Sequence, residues 1–241
     1  SLVDIKNSDS YTYRHSVNVG ILALVLGISY GLNKNDLYDL VMGSILHDIG
    51  KMFIPSEILM KKGKLTPEEF RIIQEHPTRG FHYLKDYSNL SAKARIVVLQ
   101  HQERIDGSGY PYGLKGDQIY IFSKIAAVAD IYDALTSDRP YRNAVSPNEA
   151  VEFIMGGGGT YFDMDVVKAF AKKVIPYPIG TVVRLSNQSI GVIEKVNDDF
   201  ILRPVVKIIR ENNKKVDPFL CDLKYESNIT IEGIVYDLHE D

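Results

Sequence analysis

The chain changes character at Pro176-Tyr177-Pro178-Ile179-Gly180, and this break limits what it can fold into more than any other feature of the sequence. Prolines cannot continue a helix or a central strand, and a following glycine releases the backbone into a turn. Before the break, apolar residues recur at helical spacing over long segments. After it come only short β-branched runs: Thr181-Val182-Val183, Gly191-Val192-Ile193, Pro204 to Ile209 and Ile229-Thr230-Ile231. Polar turns such as Asn197-Asp198-Asp199 and Glu211-Asn212-Asn213 separate them. The pattern predicts a mainly α part over residues 1–175, a helical bundle, and a small C-terminal β module over residues 176–241 that resembles a barrel.

Within the first part, residues Tyr11 to Tyr30 are apolar on most faces, which predicts a buried core helix. Asn35-Asp36 suits the start of a helix running through Leu37, Leu40, Val41 and Ile45 into His47-Asp48. Thr66-Pro67-Glu68-Glu69 is a strong start signal, with a capping threonine, proline in the first position and acids in the first turn. That helix is expected to carry Phe70, Ile72 and Ile73 on to His76. Further helices are expected over Ser91 to His101, Phe122 to Thr136, from Ser146-Pro147-Asn148-Glu149, and over Met164 to Val174, with a glycine-rich loop from Asp106 to Gly116. The glycine run Gly156 to Gly159 reads as a helix end and turn.

Composition narrows the function classes. Hydrophobic residues make up 45% and charged residues 24% of 241, ordinary for a globular protein with a full core. A net charge of -3 gives no reason to expect a nucleic-acid polymer as partner, and residues 176–241 alone hold 8 basic and 11 acidic side chains. The single cysteine, Cys221, rules out an internal disulfide and fits a reducing cytoplasm. Val19 to Ile28 is too short to span a bilayer. The expectation is a soluble cytoplasmic chain with no membrane contact, beginning abruptly at Ser1 as a fragment of a longer protein would.

Four of the six histidines, His15, His47, His76 and His101, stand in or at the ends of apolar helices. One such histidine alone reads as a satisfied core residue. The set, with Asp48 beside His47, reads as a metal site. Imidazole combined with carboxylate suits iron, manganese or zinc better than calcium or magnesium. Lys51, three residues after Asp48, falls on nearly the same helix face, where it can offset charge on a phosphate, although taken alone it reads as a solvated helix-end lysine. No organic cofactor is expected. His82 and His239 are expected at the surface and in the terminal tail.

His47-Asp48-Ile49-Gly50-Lys51 resembles the signature of the HD superfamily of metal-dependent phosphohydrolases. His101-Gln102-Glu103-Arg104-Ile105-Asp106-Gly107-Ser108-Gly109-Tyr110-Pro111 is similar to the second signature of its HD-GYP subgroup. Lys64 to Glu69, His76 to Gly80, Ala129 to Thr136 and Arg139-Pro140-Tyr141-Arg142 follow in the subgroup's order. The resemblance implies an HD-type bundle that hydrolyses cyclic di-GMP to linear pGpG. It places His15, His47, Asp48 and Asp130 at a first metal, and Asp48, His76 and His101 at a second. Asp48 and Lys51 become the catalytic residues. Lys51, Gly109, Tyr110, Pro111, Arg139 and Arg142 line the substrate, the two arginines holding the distal phosphate and a guanine. The ions implied are iron or manganese first, zinc or nickel next. Glu103 and Asp106 are expected to brace the loop, and Asp133 reads equally as an orienting group or a surface acid. A homodimer, and a protein partner for the β module, are the expected assemblies.

Two positions depart from the subgroup. Gln102 stands where a second histidine is usual, and Tyr11 stands where three-metal members carry glutamate. One or two ions are therefore expected. Gln102 also raises an alternative, a catalytically degenerate cyclic di-GMP sensor or scaffold that has lost the second metal.

Overall fold

A computed structural model describes residues 10–61, 63–87, 89–137, 144–198, 200–212 and 214–235. The chain divides into two compact units, Ser1–Lys173 and Val174–Asp241.

The described helices of the first unit are α1 Ser10–Tyr30, α2 Lys34–Leu46, α3 Ser56–Leu59, α4 Pro67–Ile73, α5 His76–Leu84, α6 Ala92–Gln100, α7 Ile121–Thr136, α8 Pro147–Gly156 and α9 Met164–Ala171. Local chemistry sets several of the starts. Thr66 and Glu69 close a reciprocal capping box, Ser91 Oγ accepts from Ala94 N at 3.0 Å, and Asp163 caps α9. The cap of α2 is Asn33, whose Oδ1 accepts from the backbone of Asn35 and Asp36, not the Asn35-Asp36 pair itself. Gly157 caps α8, so the glycine run is a helix end as the pattern predicts.

The core is centred on α7, where Phe122, Ile125, Val128 and Ala129 are buried against α1, α6, α8 and α9. Alanines at 126, 127 and 129 keep its flanks thin. α1 is not buried all round. Val19, Ala23 and Leu26 face the core, while Ile21 and Ile28 stand 57% and 56% exposed, because neighbours cover only one side of the helix. Among the described residues no helix is long and apolar enough to cross a membrane.

A 3-10 turn, Ile49–Phe53, follows α2 and lies against α5. The approach is close enough that a Cβ on Gly50 would collide with the carbonyl oxygen of His76. Glycine at 50 therefore fixes how near the His47-Asp48 corner comes to His76.

The second unit is an antiparallel sheet of β1 Val182–Leu185, β2 Ile190–Lys195, β3 Val205–Glu211, β4 Lys214–Asp222 and β5 Ile231–Ile234, in the order β4-β3-β2-β1-β5. Val183, Leu185, Ile193, Val206 and Ile208 alternate inward onto Tyr177 and Leu223. The expected barrel is not formed. β4 and β5 are the two edges of an open sheet and do not pair. β4 carries Lys214, Lys215, Asp217 and Pro218, charges and a missing N–H that suit an unpaired edge. Arg203 Nη1 binds the loop between β4 and β5, donating to the carbonyls of Glu226 at 3.1 Å and Ile229 at 2.9 Å.

Candidate metal centre

His15, His47, Asp48, His76, His101 and Asp130 converge inside the helical unit, and all six are buried. Helix ends, not helix middles, supply most of them. The pattern predicts His47-Asp48 within one helix and His76 at the end of the Thr66 helix. In the structure α2 stops at Leu46, His47 is its C-cap, and Asp48 opens the 3-10 turn. α4 stops at Ile73 and His76 begins α5, while His101 is the C-cap of α6. Only His15 and Asp130 lie within long helices.

The helix ends orient the rings. His47 Nδ1 lies 2.6 Å from Ser44 O, His76 Nδ1 2.8 Å from Ile73 O, and His101 Nδ1 2.9 Å from Val98 O. A carbonyl only accepts, so each Nδ1 carries a proton and each ring turns its Nε2 inward. His15 is held differently, its Nδ1 donating to Asp133 Oδ2 at 2.7 Å. Asn18 Nδ2 also donates to Asp133, at 2.9 Å. Asp133 is thus a buried orienting carboxylate and not a surface acid.

Asp48 divides the cluster. Its Oδ2 lies 3.3 Å from His47 Nε2 and 3.8 Å from His15 Nε2, and its Oδ1 lies 3.3 Å from His76 Nε2 and 3.8 Å from His101 Nε2. Asp130 Oδ1 faces His15 Nε2 at 3.1 Å. His76 Nε2 and His101 Nε2 stand 3.1 Å apart, two lone pairs that repel unless a cation or proton lies between them. Among the described residues, buried His47 Nε2 and Asp48 Oδ1 have no hydrogen-bond partner. Three overlapping triads bring their ligand atoms within 4.8 Å: His15-His47-Asp48, His47-His101-Asp130 and Asp48-His76-His101. Nitrogen and carboxylate donors in this arrangement fit divalent transition metals.

The charges fall into two groups. Burial opposes ionisation of Asp48, but His47, Lys51 and His101 hold its carboxyl well below the usual range. Asp130 is likewise held low against burial by its bond to His15 and by His47. Burial pushes His76 down to about 3 and lowers His101 as well. Burial also disfavours charge on His15, but the bonds to Asp130 and Asp133 lift it to about 9.

Beside the cluster, Lys51 Nζ lies 2.6 Å from Asp48 Oδ2, the i,i+3 pair that a 3-10 turn eclipses. The Tyr110 ring stands 6.1 Å from the His76 ring, and burial pushes its hydroxyl pKa up. A Cβ on Gly109 would press on the Arg104 nitrogen and the Gln102 carbonyl, so the loop requires glycine there, and a cis bond joins Tyr110 to Pro111. Glu103 braces the loop as expected, its carboxylate accepting from Tyr112 N at 2.8 Å and Leu114 N at 2.9 Å. Asp106 accepts from the Ser108 backbone and hydroxyl. Gln102 does not join the imidazoles. Its Nε2 donates to Asp130 Oδ2 at 3.2 Å. His82 is exposed on α5. Arg139, Arg142, His239 and the side chain of Tyr11 lie outside the described residues. Phe70, which the sequence pattern places only as a helix residue, has its ring 6.3 Å from that of Tyr110. Its half-exposed surface is a signal that sequence alone does not carry.

Residues 4–166 match the family described as HD domain. A cyclic di-GMP phosphodiesterase of Pseudomonas aeruginosa is 42% identical over 216 residues, 90% of this chain and 52% of that protein. The cyclic di-GMP phosphodiesterase PdeB of Borreliella burgdorferi is 34% identical over 212 residues, 88% of this chain and 56% of that protein. The chain thus spans about half the length of these curated relatives, and both matches extend past the helical unit into the sheet. An HDG"Y"P protein from Bdellovibrio bacteriovorus has a similar fold, with a TM-score of 0.54 at 22% identity over 64% of this chain and 49% of that one. The family match, joined to a Gly109-Tyr110-Pro111 loop beside the His-Asp cluster, shows that the chain belongs to the HD domain family, in its HD-GYP subgroup.

Proposed function

We propose that this chain is a metal-dependent phosphodiesterase that opens cyclic di-GMP to linear pGpG. The observation that carries the reading is Asp48, whose two oxygens face two separate pairs of imidazoles beside Lys51 and Tyr110. His15, His47, Asp48 and Asp130 would hold one ion, and Asp48, His76 and His101 another. Iron or manganese suit this set first, zinc or nickel next, and such ions supply Lewis acidity that activates water and offsets phosphoryl charge.

The chain's own groups then have defined tasks. His76 and His101 stay neutral near pH 7, so their nitrogens remain available as donors. Lys51, already beside Asp48, offers positive charge to a phosphoryl oxygen. Tyr110 keeps its proton and can donate it in a hydrogen bond. Arg139 and Arg142 take the distal phosphate and a guanine. In the reaction, water oxygen joins phosphorus, one bond to a 3′ oxygen breaks, and the proton leaves on that oxygen.

The relatives named as cyclic di-GMP phosphodiesterases support this substrate. The reading places the chain in the cytoplasm as a signalling hydrolase, with residues 176–241 as a separate packing or partner module and a homodimer as its assembly. Gln102 gives a second reading, a sensor with one metal or none, because its amide is spent on Asp130. The enzyme reading is preferred because Asp48, His76 and His101 already form a triad without it. Metal analysis and chromatography of products test this. Two metals per chain with pGpG formed under reducing conditions is the expected result. Tight binding without turnover in iron- or manganese-loaded protein, restored by Gln102→His, would replace it with the sensor.

A further inference from the structure

Phe70 is a large apolar side chain that the fold leaves about half exposed. α4 contains no buried residue, and Phe70 stands 47% exposed on it. The helix is nonetheless fixed. Thr66 and Glu69 close its capping box, and Lys61 Nζ reaches both Glu69 oxygens at 2.6 and 2.7 Å. The exposed ring is therefore presented by a tethered element.

Its place is specific. The Phe70 and Tyr110 rings are 6.3 Å apart at 80°, and the Tyr110 and His76 rings 6.1 Å apart at 81°. Three rings thus step outward from the buried cluster, His76 at 1% exposure and Phe70 at nearly half. A planar apolar face beside a phosphodiester centre matches a ligand that carries an aromatic plane close to its phosphates. Nucleobases stack on such rings whatever their hydrogen-bonding edge. Single exposed apolar residues are common on surfaces, and what sets Phe70 apart is its contact with Tyr110.

We propose that Phe70 is the outer wall of a nucleobase subsite and stacks on one base of the dinucleotide. It is a substrate-positioning residue, with no part in the bond change. The inference rests on the cyclic dinucleotide reading above, and binding of the linear dinucleotide separates the two.

The test uses metal-loaded full chain with Phe70→Leu, which keeps apolar volume but removes the ring, beside Phe70→Ala and Phe70→Trp. The leucine and alanine variants should raise KM for cyclic di-GMP about tenfold and weaken pGpG binding by calorimetry to a similar extent. Their kcat should stay within about twofold and metal content should not change, and tryptophan should restore KM. Unchanged KM and pGpG affinity in Phe70→Leu would overturn the proposal. So would a loss of kcat and metal together, or failure of tryptophan to rescue. If wild-type protein binds pGpG but does not hydrolyse cyclic di-GMP, the enzyme reading fails while the pGpG affinities of the variants still decide this one. If wild-type protein binds no pGpG, the stacking subsite is excluded.

Discussion

The two flanks of the cluster share Asp48 but are built on opposite electrostatic plans. On the His15 flank, Asp130 and Asp133 surround one imidazole and lift it to about 9, so near neutral pH it is an imidazolium between carboxylates. On the His76-His101 flank, two imidazoles meet with Asp48 Oδ1 facing both, and burial keeps His76 down to about 3. A cation entering the first flank must displace a proton. One entering the second meets lone pairs already free. Both flanks should therefore bind metal, with different dependence on pH.

Asp48→Ala breaks both flanks at once and carries the largest expected effect. It removes the oxygens facing all four imidazoles and the carboxylate that Lys51 meets at 2.6 Å. Metal content should fall to background and pGpG production with it, which elemental analysis and chromatography check. Retention of one tightly held ion would show that the flanks do not depend on a common carboxylate.

Asp133→Ala breaks only the His15 flank. It touches no candidate metal position, but it accepts His15 Nδ1 at 2.7 Å and holds that ring's direction. Removing such an orienting carboxylate typically costs about 10–100-fold in metal affinity. Titration should show that loss for one ion and an unchanged second ion. An equal loss at both would make the flanks a single site.

The pH dependence sharpens the contrast without mutation. Below a His15 pKa of about 9, affinity on its flank should fall about tenfold per pH unit, whereas affinity on the other should stay flat down to mildly acid pH. The metal-free protein should show the same asymmetry in stability. His15 is raised above its usual 6.5, so its contribution is complete below that value and is lost as pH rises toward 9. His76 is depressed, so stability falls as pH drops below 6.5 and the unfolded chain takes up a proton that the folded chain refuses. Stability should peak near pH 6.5, with Tm several degrees lower at pH 5. A flat melting curve across this range would contradict both assignments.

How much of this was legible in the sequence follows from what sets each feature. The four histidines and Asp48 could be named because polar groups stand out in apolar helices, whereas Asp130 was named through the resemblance to the HD-GYP subgroup. Their presentation could not. Nothing in Ile45 to Ile49 marks the change from α to 3-10 geometry at Asp48, which comes with the packing of Gly50 against His76. The β runs were visible as strands, but β4, with Lys214, Lys215, Asp217 and Pro218, holds no β-branched run and becomes a strand only by pairing with β3. Whether the sheet closes depends on its two edges meeting, and no local pattern encodes that. Asp133 reads either way until the distant His15 is beside it.

Gln102→Ala is the smallest expected effect and the finest test of the comparison. The amide reaches Asp130 Oδ2 at 3.2 Å from a partly exposed position, while the other oxygen of that carboxylate faces His15. A hydrogen bond to a charged group contributes roughly 1.5–3 kcal/mol when well made, and this longer, less buried one should lie at the lower end. Loss of the amide should therefore weaken metal on the His15 flank by no more than about tenfold and leave the other flank unchanged, read by the same titration. If Gln102 instead served as a ligand in place of a second imidazole, the loss would fall on the His76-His101 flank. The flank that responds thus decides whether Gln102 substitutes for a histidine or, as its bond to Asp130 implies, has moved to the carboxylate side.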